Sequence, residues 1–160
     1  MALAMVGVML LVACGGNIGP DRDDLVGRWA QAPTAEQIAD SAGAVRVEDV
    51  VVEYRADGTS RLDGRLVVSR DEAEPLAFEL NTDVAWSLDE TVLTRTLRGV
   101  SLTPADPSPD AAALARELER QYGQVPPGRQ IVEALDAGEL VVTDVETGER
   151  MRFTRLGGPE

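Results

Sequence analysis

Histidine and lysine are absent from this 160-residue chain, cysteine occurs once, and the aromatic residues together make up 4% of it. Each absence excludes a class of chemistry. Without histidine there is no Cys–His pair and no Ser–His–Asp triad, and without lysine there is no Schiff base. One cysteine and no histidine cannot furnish a Cys/His metal centre. Positive charge is scarce too: 15 basic residues, all arginine, stand against 28 acidic ones, for a net charge of −13. A phosphate backbone needs a positive footprint, so nucleic acid is excluded as a partner. Carboxylates and hydroxyls are the catalytic groups that remain, and close acidic pairs in so acidic a chain are read as solvated faces. Gly-x-Ser-x-Gly and Ser-x-x-Lys do not occur, and there is no phosphate loop. Asp21-Arg22-Asp23-Asp24 and Asp144-Val145-Glu146 lack the spacing of a calcium loop. The expectation is a protein without enzymatic activity, metal or cofactor.

What is present begins with residues 1–13, MALAMVGVMLLVA, which are uncharged and apolar except for Gly7. A membrane-spanning helix needs roughly 20 apolar residues, so this shorter run reads as the apolar region of a secretory signal. It leads into Leu11-Val12-Ala13-Cys14-Gly15, which resembles the lipobox of bacterial lipoproteins. The resemblance implies export, cleavage before Cys14, and a diacylglyceryl group on the Cys14 thiol that anchors the protein to a membrane. The implied location is the cell envelope. In a host with two membranes, Gly15 carries no inner-membrane retention signal, which favours the outer membrane facing the periplasm. Residues 14–24, CGGNIGPDRDD, have little to bury and are expected to form a flexible tether spanning roughly 15–20 Å. Residues 25–156 make one domain's length of chain, followed by a tail at 157–160. With no second cysteine, an exported domain of this kind is stabilised by packing alone.

Within the domain the apolar residues recur with a period of two. Val50, Val52, Tyr54 and Ala56 alternate with Val51, Glu53 and Arg55, and Asp57-Gly58 then marks a hairpin turn. Leu62, Gly64, Leu66 and Val68 continue the rhythm. The clearest strand covers 76–88, with Leu76, Phe78, Leu80, Thr82, Val84, Trp86 and Leu88 on one face. Thirteen residues is long for a strand, so a bend or bulge is expected near Asn81–Asp83. Asp89-Glu90 turns into a run from Thr91 to Leu102 whose faces are less distinct. Leu140–Val145 and Arg150–Leu156 form a last hairpin across Glu146-Thr147-Gly148-Glu149.

Two segments interrupt the strands. Ser108-Pro109-Asp110 is an N-cap, a first-turn proline and an early acid, and the stripe Ala111, Leu114, Ala115, Leu118, Tyr122 ends at Gly123. An amphipathic helix over 109–122 is expected, packed on the sheet or plugging a barrel end. Thr34–Ala42 reads as a short helix with Thr34 and Gln37 in capping-box spacing. Ile131 and Leu135 fit either period, and Pro126-Pro127 before them tips 129–137 towards a strand.

Seven or eight antiparallel strands joined by tight turns suit an up-and-down meander closed, or nearly closed, into a barrel with one accessory helix. Here Leu25-Val26-Gly27-Arg28-Trp29 resembles the opening Gly-x-Trp of the lipocalin-like, or calycin, group. The resemblance implies that Gly27 permits a tight turn into the first strand and that Trp29 caps one barrel end. It also implies that Arg155, within Phe153-Thr154-Arg155 on the last strand, stacks on that tryptophan. In lipocalins the helix follows the barrel, whereas here the helical stretch precedes the last strands. Two functions fit. One is a binding module that holds a small apolar or amphiphilic ligand in a pocket lined by Phe78, Leu80, Val84 and Trp86. The other is an interaction, inhibitor or structural lipoprotein whose barrel is filled by its own side chains. Inward faces that mix Val, Leu, Thr and Gly with few aromatics lean towards a cavity.

Overall fold

The computed structural model describes residues 19–33, 45–70 and 73–157. The apolar leader, Cys14, the first part of the tether, the Thr34–Ala42 segment and residues 158–160 lie outside the described residues. Eight strands form a closed barrel: β1 (Gly27–Ala32), β2 (Val45–Tyr54), β3 (Thr59–Arg70), β4 (Ala73–Asp89), β5 (Val92–Pro104), β6 (Gly128–Leu135), β7 (Glu139–Asp144) and β8 (Arg150–Leu156). Each pairs antiparallel with its neighbour in sequence, and β8 pairs with β1 to close the ring. The expected meander is therefore present, with eight strands. Two helices accompany it among the described residues, a single turn α1 (Arg22–Leu25) and the longer α2 (Pro109–Tyr122) between β5 and β6.

Alternation decides which residues face inward. On β4, Phe78, Leu80, Val84 and Trp86 are buried, and Leu76, Thr82 and Leu88 on the same face are half-buried. The bulge anticipated at Asn81–Asp83 falls between Asp83 and Val84, but its extra residue belongs to the neighbouring strand. Asp83 lies opposite Gly99 and Val84 opposite Leu97, leaving Arg98 without a partner residue. This insertion shifts the inward parity of β5 from Leu93 and Leu97 to Val100 and Leu102, which explains why its two faces are indistinct in sequence. Residues 128–135 resolve as strand β6. At the β2–β3 turn, Asp57 accepts hydrogen bonds from the Thr59 N–H and hydroxyl at 2.9 and 2.7 Å, and Gly58 supplies the positive φ of 84°.

The tether is shorter than composition indicates. The Asp21 carboxylate accepts a 3.0 Å hydrogen bond from the Asp23 N–H and caps α1, and Leu25 is fully buried.

β3, β4 and β5 have 12, 17 and 13 residues, against 6 to 10 for the other strands. The long strands divide the interior into two cores. One gathers Leu25, Trp29, Val52, Tyr54, Trp86, Leu93, Leu140 and Phe153 at the end where β1 starts. The other lies on the projecting parts of β3–β5, where Leu66, Phe78, Leu80 and Leu102 pack under Ala111 and Ala115 of α2. Ser108 caps α2 by accepting from the Ala111 N–H at 3.1 Å, as the sequence pattern requires. The register between β5 and β6 runs only from Val92–Ile131 to Arg95–Gly128, so the rest of β5 has no strand on that side. α2 covers it, and Glu119 accepts from the Leu102 N–H at 2.8 Å. No helix among the described residues is long and apolar enough to cross a membrane.

Candidate functional site

The end at which β1 starts is sealed by three residues that the sequence singles out together. β1 and β8 place Trp29 directly opposite Arg155. The Arg155 guanidinium carbon stands 4.2 Å from the centre of the Trp29 ring. Its Nη1 donates to the Val26 carbonyl at 2.9 Å and its Nη2 to the Asp24 carbonyl, while Trp29 Nε1 donates to the Leu25 carbonyl at 2.9 Å. Trp29 has no exposed surface. A Cβ at Gly27 would lie 2.6 Å from Arg155 Nη1, and its φ of 141° is strained for any other residue. Gly27, Trp29 and Arg155 thus form one closure, and α1 with its C-cap Val26 supplies the carbonyls. A second tryptophan sits behind it. Trp86 Nε1 donates to the Thr59 carbonyl at 2.9 Å, its ring meets Tyr54 edge-on at 5.5 Å, and Arg22 lies over it at 5.1 Å.

Between the two cores lies a cavity of about 380 Å³, inside the range of roughly 300–1,000 Å³ that suits small-molecule ligands. Val50, Val52, Leu62, Leu80, Val84 and Phe153 make most of its apolar wall, and Val47, Tyr122, Val125 and Pro126 lie towards the end away from Trp29. Val47 and Val125 are 44% and 54% exposed, so the cavity communicates with solvent past an apolar rim. Of the four residues anticipated as pocket lining, Leu80 and Val84 face the cavity. Phe78 and Trp86 do not: Phe78 is fully buried beneath α2, and Trp86 belongs to the closed end. They share a strand face with Leu80 and Val84 but lie beyond the cavity at opposite ends of it. Trp86 is therefore a packing anchor and not a residue at the mouth.

Three polar residues on the wall, Gln31, Arg95 and Gln130, escaped the sequence reading. Arg95 projects from β5 into the cavity, and its Nε is buried without a hydrogen-bond partner. Gln130 on β6 lines the same space and is 7% exposed. A signal for Arg95 existed in Leu93-x-Arg95-x-Leu97, an arginine in step with two apolar residues. Burial pushes the Tyr54 phenol above its ordinary value, an effect that the charge of Arg95 partly offsets. Asp144, on the wall opposite Gln130, accepts 2.9 Å hydrogen bonds from the Thr147 and Glu146 N–H groups, which hold its carboxyl below the usual range. Among the described residues no group of three or more His, Cys, Asp or Glu side chains is placed to hold a metal ion.

Comparison with protein-family models and with curated proteins finds no match to the chain.

Proposed function

We propose that this chain is a lipid-anchored protein of the cell envelope whose lipocalin-like barrel binds a small apolar or amphiphilic molecule. The cavity of about 380 Å³ carries the reading. A barrel that works only through its outer surface has no need of an interior space, and empty apolar space destabilises a core. The stack of Arg155 on Trp29 supports the lipocalin-like assignment, because it joins the two residues that the resemblance implies. The anchor rests on the uncharged run before Cys14. The chemistry of the wall, mostly apolar with Arg95, the two amides of Gln31 and Gln130, Thr82 and Asp144 as its polar members, suits retention of a ligand and not its conversion.

Organic extraction of the full chain, purified from its native membrane fraction, should release a small molecule in near-equimolar amount. Thr82→Trp, which fills the cavity from β4, should abolish that yield while the strand signal in circular dichroism persists. A wild-type protein that yields nothing and takes up no amphiphile would make the binding reading wrong. For the anchor, Cys14→Ser should move the protein from the membrane fraction to the soluble one. If the variant still pellets after a high-salt wash, lipid attachment at Cys14 is not what holds it.

A further inference from the structure

We propose that the cavity selects an amphiphile with an anionic oxygen head group, received by Arg95 and Gln130. The proposal rests on reading the cavity as a ligand site. Arg95 stands in the apolar stripe of β5 between Leu93 and Leu97 and lines the cavity. No described carboxylate makes an ion pair with it, none of the described residues hydrogen-bonds to its guanidinium, and its Nε is cut off from solvent. Arg95 is half-buried, and an Nε–H cut off from both water and any partner is costly to keep. Its five N–H donors in a planar fork match a carboxylate or phosphate.

The neighbouring groups leave that charge available. Tyr54 is the phenol close enough to feel Arg95, and burial keeps it protonated and neutral. Asp144, opposite Gln130 on β7, lies on the same wall, and its Oδ1 is held by the Thr147 and Glu146 N–H groups of its own turn. Gln130 adds a second donor. Arg95 lies opposite Gly128 and Leu93 opposite Gln130, so the two polar side chains are diagonal neighbours on adjacent strands, within reach of one head group. Gln130 is buried, and its amide has no hydrogen-bond partner among the described residues. Leu80, Val84, Val100 and Phe153 surround the remaining space with the aliphatic and aromatic surface that a hydrocarbon tail requires. A net charge of −13 gives no long-range attraction for anions. Selection must come from Arg95 at contact distance, where salt screens little.

The test titrates the full chain, kept in solution with an amphipathic polymer, with dodecanoate, dodecyl phosphate and dodecanol, reading complexes by native mass spectrometry. The two anions separate a carboxylate from a phosphate source, and tighter binding of either one over the alcohol supports the proposal. The preferred anion should bind at least about tenfold tighter than dodecanol, in line with one charge-assisted hydrogen-bond pair. Arg95→Met should erase that preference and leave dodecanol within about twofold of wild type. Arg95→Lys should keep part of it. Equal wild-type affinity for the alcohol and both anions, or an Arg95→Met chain that keeps the preference, overturns the head-group assignment while leaving the cavity a binding site. Loss of dodecanol together with the anions in Arg95→Met also overturns it, because Arg95 would then shape the cavity and not select the head group. Binding of none of the three by wild type removes the underlying reading as well.

Discussion

Arg155 and Arg95 both carry a buried Nε without a partner, yet their surroundings differ in every other respect. At the closed end, Arg155 lies flat on Trp29 and gives its two terminal nitrogens to the carbonyls of Val26 and Asp24. In the cavity, Arg95 has neither a ring beneath it nor a carbonyl within hydrogen-bond reach among the described residues. One guanidinium is consumed by the fold and the other is left over. The contrast extends to the ends that hold them. The closed end is sealed by two tryptophans, a one-turn helix and backbone carbonyls. The other end is formed by three long strands under one amphipathic helix, and its apolar rim remains exposed.

The comparison can be broken most decisively at Trp29. Trp29→Ala removes the largest fully buried side chain and unstacks Arg155, and should cost about 3–5 kcal/mol in urea unfolding. At the helix-covered end Leu118 is half-buried, so Leu118→Asp should cost about 1–3 kcal/mol and leave the sheet signal in circular dichroism largely intact. A larger loss from Leu118→Asp than from Trp29→Ala would reverse the ranking of the two ends. Next in size is the arginine pair. Arg155→Met leaves two carbonyls without donors and should destabilise by about 1–3 kcal/mol. Arg95→Met should be neutral or stabilising in the ligand-free protein, since it replaces an unpaired charge by a hydrocarbon. Equal destabilisation by both would show that Arg95 is also structural. The smallest effect concerns Trp86. In a Trp29→Phe background its emission should be blue-shifted and should scarcely change on adding an amphiphile, because its ring lies behind the cavity wall. A clear shift would place ligand at the closed end.

Period-two alternation with tight polar turns determined the strands and the barrel, and the helix was legible from its cap and stripe. What alternation cannot convey is depth. Phe78, Leu80, Val84 and Trp86 follow one another on a single face, but a strand rises by about 3.3 Å per residue. Nine residues therefore carry that face from one core, past the cavity, into the other. Arg95 was obscured for a different reason: the extra residue at Arg98 flips the pattern of β5, so no constant phase runs from Thr91 to Leu102. Gln130 fell in the stretch where Ile131 and Leu135 suit either period. The closure pair came from resemblance to Gly-x-Trp and a late arginine. No local pattern relates positions 29 and 155, which become neighbours only when the ring of strands closes.

The short register between β5 and β6 has a dynamic consequence. Four residue pairs join these strands, whereas β3 and β4 are joined over most of their length. The β1–β2 junction is as short, but the Trp29–Arg155 closure braces it, so the cylinder parts first along β5–β6, where sub-global opening meets the least support. Backbone amides of Leu93, Arg95 and Gln130, which face the junction as the Thr91 carbonyl does, should therefore exchange with deuterium well before those of Leu62 and Leu66 at the middle of the β3–β4 ribbon. Arg95 and Gln130 flank this junction, so each opening would bring solvent to both polar side chains from the flank of the barrel, without any movement of the rim. Occupancy of the cavity should slow exchange along this line more than anywhere else in the sheet, and uniform slowing would show that the cylinder moves as one piece.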